Sequence, residues 1–218
     1  MAKMREEIQG LLGAVAEMAD EAGRLLRAAS EAFLACDGSA LGAVREGERA
    51  INRMEMANDA RCLRVLALYQ PEADDLRSVL MALKINNDLE RIGDHALNVA
   101  ERAGQAGAFP SAVLKERFAH MAEVCLAMLR DAVTAFVARD SALAKAVIER
   151  DDEVDDLLRA IISDVLEAGW GDRADRQSAL ALVFAAKDFE RVADLCTNLA
   201  EDVVFMAEGT SLKHQGKL

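Results

Sequence analysis

The feature that most constrains this 218-residue chain is that it repeats itself. The stretch AEMADEAGRLLRAASEAFLACD at 16–37 lines up with AHMAEVCLAMLRDAVTAFVARD at 119–140. Met18 matches Met121, Leu26 matches Leu129, Arg27 matches Arg130 and Phe33 matches Phe136, at a constant offset of 103. Val44-Arg45-Glu46-Gly47-Glu48 then falls on Val147-Ile148-Glu149-Arg150-Asp151, and Asn52 on Asp155. After a turn three residues shorter in the second copy, DLERIGDHALNVAE (88–101) matches DFERVADLCTNLAE (188–201) at an offset of 100. The chain is a tandem duplication, and each copy must be one folding unit or half of one.

Each copy reads as helical. Leu11, Val15, Met18, Ala22, Leu25, Ala29 and Phe33 step by three and four, as a single core-facing stripe does. Asp37-Gly38-Ser39 ends that helix, and a second runs to Tyr69, where Gln70-Pro71 stops it. Pro71, Glu72, Asp74 and Asp75 suit the first turn of a third helix and its dipole. The third helix fades at Gly104-Gln105-Ala106-Gly107-Ala108-Phe109-Pro110. Only 2 Pro and 13 Gly interrupt a chain rich in Ala, Leu, Glu and Arg. The expected fold is all-α: two tandem, pseudo-symmetric, antiparallel three-helix bundles with six long helices. The expected divisions are 1–104 for the first bundle, 105–111 for a linker, 112–210 for the second bundle and 211–218 for a tail.

The net charge of −12 argues against nucleic acid, whose phosphates need a basic footprint, and against an anionic membrane surface. Cations, or basic surfaces on partner proteins, are the natural ligands. No apolar run approaches the roughly 20 residues that span a bilayer. MAKMREEIQG has no apolar core of a secretory signal, so a cytoplasmic protein is expected. Cys36, Cys62, Cys125 and Cys196 are scattered without CxxC spacing and read as small hydrophobes on helix faces. Trp170, in its Gly-flanked turn, reads as packing on a neighbouring helix end.

One polar set does not vary between the copies: Asp88/Asp188, Glu90/Glu190, Arg91/Arg191, Asp94/Asp194, Asn98/Asn198 and Glu101/Glu201. Glu90 and Asp94 stand four apart, a like-charge pair that costs a few tenths of a kcal/mol on an isolated helix. Glu90, Asp94, Asn98 and Glu101 step by four, four and three, an expected line of oxygens along one face. The preceding helix carries a second ladder, Glu48–Asn52 in the first copy and Asp151–Asp155 in the second. Facing carboxylates supply the all-oxygen ligands that hard and borderline metal ions prefer, and a cation would turn the repulsion into attraction. One ladder alone reads rather as a solvated face, with Arg91 pairing Asp94 and Arg191 pairing Asp194. Repetition in both copies favours the cation.

Histidine gives no support: His95 has Leu195 as its counterpart, and neither His120 nor His214 has ligand spacing. No phosphate loop, nucleophile elbow or Cys/His pair is present, so no enzyme is expected. A di-iron carboxylate enzyme would need Glu-x-x-His pairs, and Glu90 is followed at that spacing by Gly93.

QPEADDLRSVLMALKINNDLERIGDHALNVAER (70–102) and FAAKDFERVADLCTNLAEDVVFMAEG (184–209) closely resemble the two signature helices of the PhoU family of phosphate-uptake regulators. The resemblance covers almost the whole chain. It implies paired E(D)xxxD motifs holding multinuclear iron or zinc, here Glu48–Asn52 with Glu90–Asp94, and Asp151–Asp155 with Glu190–Asp194. Asn98, Glu101, Asn198 and Glu201 are further residues on the same faces. It also implies a non-enzymatic adaptor that damps phosphate import and phosphate-starvation signalling, through the phosphate ABC transporter ATPase and a sensor histidine kinase. A helical adaptor that holds no metal is the alternative, and a homodimer is expected of such long amphipathic bundles. Asn52 departs from the family's second acid, which lowers the first site's charge but not its oxygen count. FERVAD in place of LERIGD changes only packing positions.

Overall fold

A computed structural model describes residues 2–209; His214 and the tail 211–218 lie outside the described residues, as does position 210 of the second bundle. The described residues form helices α1 (Ala2–Leu34), α2 (Leu41–Tyr69), α3 (Ala73–Ala103), α4 (Ala112–Ala138), α5 (Ser141–Glu149), α6 (Asp151–Glu167) and α7 (Arg173–Glu208), with no strand. These are the six expected rods, the fifth being interrupted at Arg150.

Local chemistry sets the ends. Asp37 and Asp140, one repeat apart, play the same role, each accepting a backbone N–H two residues on, from Ser39 at 2.8 Å and Ala142 at 2.9 Å. Gln70 ends α2 in the left-handed region, its N–H bonded back to Leu66. Pro71 is buried ahead of α3 rather than in its first turn, and the Glu72 carbonyl receives the Asp75 and Leu76 N–H groups instead. Asp74 and Asp75 do sit in that turn, near the positive end of the dipole. The fifth rod breaks at a position where the two copies differ. At the equivalent position in α2 is Gly47, where a Cβ would stand 2.5 Å from the Leu25 side chain. In the second half Arg150 stands there, its N–H bonds to the Val147 carbonyl at i→i+3, and α6 restarts at Asp151.

α1, α3, α7 and α4 form a central square, each packing on the next, while α2 packs on α1 and α3, and α5 and α6 pack on α4 and α7. One continuous apolar core runs through both halves, from Met4 to Met206. The order of buried and exposed positions along 81–93 of α3 is reproduced position for position along 181–193 of α7. The sequence repeat is therefore a repeat of environment.

α3 and α7 meet as an antiparallel seam. Lys84 pairs with Asp202, Asn98 Nδ2 donates to Asp188 Oδ1 at 3.2 Å, and the Arg102 guanidinium lies 5.2 Å from the Phe184 ring centroid. Each pair is equidistant from Gly93 and Ala193, so the halves cross at those two residues. Trp170 packs on the core edge, its indole N–H donating to the Val165 carbonyl at 2.6 Å. Cys62, Cys125 and Cys196 are buried and unbridged, Cys36 half-buried.

Candidate metal centre

Electrostatics bring Glu90 of α3 near Glu48 of α2, and Asp194 of α7 near Asp151 of α6. In the first half Glu48 is buried against α3 and accepts a hydrogen bond from the Asn52 amide. The other amide atom, Asn52 Oδ1, is buried with no hydrogen-bond partner. Across from them Glu90 has its pKa raised, first by burial, then by the charges of Asp94, Glu55 and Glu48, against a smaller opposing pull from Arg91. Acids of α2 and α3 thus crowd one another electrostatically.

In the second half burial pushes the Asp151 carboxyl up to about 6, assisted by Asp194 and Asp155. The restart of α6 places Asp151, Asp152 and Glu153 in its first turn. Here the protein supplies part of its own neutralisation. Lys187 Nζ lies 3.2 Å from Glu190 Oε1, and Arg191 Nη1 lies 2.9 Å from Asp194 Oδ2. Glu190 Oε2 is nevertheless buried without a hydrogen bond, the Arg191 Nε standing 3.6 Å away. The expected Arg191–Asp194 pair is present. In the first half Arg91 turns to Asp88 at 3.6 Å rather than to Asp94, and Asn87 stands where Lys187 stands, so those acids keep less local compensation.

The line of four expected along α3 divides. Asn98 faces α7 at the seam, and Glu101 pairs with Arg45 at 3.1 Å. A residue that lies eight beyond Glu90 has rotated by about 80° on a helix of 3.6 residues per turn, enough to leave the face. Asn198 lines the equivalent hollow on the seam beside Lys84, Asp88 and Asp202. Glu201 is half-buried, with Ile148 where Glu101 has Arg45. The set that does not vary thus serves several places. Asp88, Asp188, Asn98 and Asn198 lie at the seam, and Glu90, Asp94, Glu190 and Asp194 on the ladders. Arg91 and Arg191 pair with acids of their own helices, and Glu101 pairs with Arg45. His95 also serves the seam, its Nδ1 3.0 Å from Asp188 Oδ1, and His120 pairs with Glu153 at 2.8 Å.

Glu55 is the ladder acid that comparison of the copies misses, because Leu158 occupies its equivalent position. Its signal is the spacing 48, 52, 55, 59 along one face of α2. Burial and Asp59 raise its pKa too. Glu55 gives the first half four acids near the ladder, matching Asp151, Asp155, Glu190 and Asp194 despite Asn52.

Among the described residues, no three His, Cys, Asp or Glu side chains converge closely enough to hold a metal ion as they stand. The donor chemistry fits one all the same. The side chains gathered there offer oxygen donors only, and two of those oxygens, Asn52 Oδ1 and Glu190 Oε2, are buried without a hydrogen bond. No helix of the described residues is long and apolar enough to cross a membrane.

Comparison with known proteins gives one answer. The PhoU domain family model matches twice, at residues 15–103 and 118–203. The phosphate-specific transport system accessory protein PhoU homolog of Aquifex aeolicus is 35% identical over 213 residues, covering 98% of this chain and 96% of its own. The Deinococcus radiodurans homolog is 30% identical over 207 residues, covering 95% and 97%. Among solved structures, PhoU from Pseudomonas aeruginosa matches at a TM-score of 0.87 with 29% identity, over 94% of this chain and 99% of that one. The Streptococcus pneumoniae regulatory protein PhoU shares the fold, at a TM-score of 0.87 and 23% identity over 96% and 99%. The chain belongs to the PhoU family.

Proposed function

We propose that this protein is a non-enzymatic, metal-binding regulator of phosphate homeostasis. It holds phosphate uptake and phosphate-starvation signalling down when phosphate is plentiful. It works as a homodimer in the cytoplasm, at the membrane's inner face, through the ATPase of the phosphate ABC transporter and a sensor histidine kinase. Support comes from its relatives, which are named as accessory proteins of the phosphate-specific transport system. The carrying observation is the duplicated set of mutually repelling acids, Glu90 against Glu48 and Asp94, Asp151 against Asp155 and Asp194.

Iron or zinc, as a multinuclear group, is the metal proposed, with Glu48, Asn52, Glu90 and Asp94 holding it in one half and Asp151, Asp155, Glu190 and Asp194 in the other. Bound there, it supplies positive charge and cross-links α2 to α3 and α6 to α7. The chain's own groups do the rest. Burial partly desolvates Glu90 and Asp151, and Lys187 and Arg191 hold Glu190 and Asp194 in place. Those same two cations favour a second reading, an adaptor whose acids are balanced internally and hold no metal.

Two measurements separate the readings. Elemental analysis of protein purified without a metal-affinity tag should find iron or zinc, and Glu90→Ala/Asp94→Ala should lower it by about half. Deletion in the host should switch on phosphate-starvation reporters in phosphate-rich medium. Metal-free protein with an intact deletion phenotype supports the adaptor; reporters that do not move sink the regulatory role altogether.

A further inference from the structure

The two flanking helices differ in one systematic way. On the solvent face of α2, Arg49, Arg53 and Arg64 surround Met56 and Leu63, which are 69% and 64% exposed. These positions form one stripe at helical spacing, roughly a quarter turn round from the ladder. At the equivalent positions of the second half stand Asp152, Asp156 and Glu167, with Leu166, 77% exposed, in the place of Leu63. The charge reverses three times out of three. One of the two apolar positions is kept, Leu166 for Leu63. Arg159, in the place of Met56, is the one basic residue on the acidic stripe.

Pairing within the chain does not use these charges up. Arg49 reaches Glu46 at 2.6 Å, Arg64 stands 3.6 Å from Glu7, and Asp156 pairs with Arg159. Such exposed pairs are worth at most about 1 kcal/mol and exchange partners readily. Arg53 and Asp152 have no ion-pair partner among the described residues.

We propose that the basic edge of α2 is the docking surface for the acidic edge of α6 on a second copy of this chain, Leu63 seating against Leu166. The charges select this contact over its alternatives. An α2-to-α2 contact sets Arg against Arg, and an α6-to-α6 contact sets acid against acid. Two copies that each carry −12 repel in most orientations, so opposed edges also steer them as they meet. α2 and α6 flank opposite sides of the central square, so the contact is head-to-tail and leaves a free edge at each end; it rests on the self-association in the reading above and is independent of metal. α6 has 17 residues, a contact about 25 Å long, so the association is modest and salt-sensitive.

Sedimentation of the full chain at rising concentration tests it, with circular dichroism confirming that each variant folds. The native chain should associate at low salt, and at least tenfold more weakly near 1 M salt, where screening acts within about 3 Å. Arg53→Glu/Arg64→Glu and Asp156→Lys/Glu167→Lys should each lose at least tenfold in self-association. An equimolar mixture of the two should recover it, because each variant's altered edge meets an opposite charge on the other. A native chain that stays monomeric at every concentration overturns both the dimer and this contact. A native dimer that both variants preserve leaves the dimer standing and overturns the edges, as does a mixture that fails to recover.

Discussion

At the residue scale, the behaviour of Asp151 sets the metal-free protein apart from the loaded one. Its carboxyl is held near 6, against about 4 for an ordinary aspartate, chiefly by burial and then by Asp194 and Asp155. A raised acid pKa means that the folded chain binds a proton that the unfolded chain has released. The carboxylate therefore opposes folding progressively as pH rises from about 4, and in full above about 6. Asp151→Asn should stabilise the metal-free protein by about 1–2 kcal/mol at pH 7.5, a value discounted from the full shift because the group is partly exposed. At about 2–4 °C per kcal/mol in a chain of this size, thermal melts resolve it, and the gain should vanish at pH 4. Saturating iron or zinc should reverse the order of the two proteins. A variant no more stable than the native chain at pH 7.5 would mean that the acids are not in conflict. Here the sequence was legible as far as spacing goes. Glu90 and Asp94 were recognisable because they recur, whereas Glu55 was hidden because the duplication does not repeat it. Asn98 misled because invariance marks the seam as well as the site.

At the scale of elements, Gly93 and Ile51 show how α3 and α2 come close enough for their acids to confront one another. A Cβ on Gly93 would stand 3.0 Å from Ile51 Cδ1 and 3.4 Å from Cγ2. The second half holds Ala193 and Val154, both fully buried, at the equivalent positions. One carbon has moved from the α6 side chain to α7, so the volume at the crossing is conserved. Gly93→Ala alone gains helix propensity, up to about 1 kcal/mol, but loses about 1–3 kcal/mol to overpacking, for a net loss near 1 kcal/mol. Gly93→Ala with Ile51→Val should recover that loss and exceed native stability slightly. A double-mutant cycle in urea measures it: Ile51→Val alone costs about 1 kcal/mol, so the expected coupling is about 2 kcal/mol. Additive effects would show that the two side chains do not compete for one space. The substitution of LERIGD by FERVAD was visible in the sequence as packing, but its partner on the other helix was not. Pairing across helices requires the fold. The closeness of Gly47 to Leu25 is hidden from the sequence in the same way, because the two lie on different helices.

At the scale of the whole molecule, the duplication suggests two bundles while the packing builds one body. Phe33 of α1 lies 5.0 Å from the Phe118 ring of α4, 5.7 Å from Phe109 in the connection and 6.4 Å from Phe189 of α7. Three of these four aromatics lie beyond the first repeat, and all belong to the continuous core or pack on it. Losing a buried Phe in such a place costs about 3–5 kcal/mol through lost transfer energy and the cavity left behind. If the halves unfolded independently, Phe33→Ala would weaken the first and spare the second. The second half carries its own reporter, Trp170, tied to the end of α6 through Val165. Because the square of α1, α3, α7 and α4 shares its core, Phe33→Ala should lower the Trp170 fluorescence transition and the helical transition by the same amount. That is about 2–4 °C for each kcal/mol lost. A Trp170 transition that stays at its native temperature while the helical signal splits would show two domains side by side. Coincident transitions would mean that a cation held by α2 and α3 stabilises α6 and α7 as well. Occupancy of one acid cleft would then be felt at both flanks of the molecule, since neither half can loosen without the other.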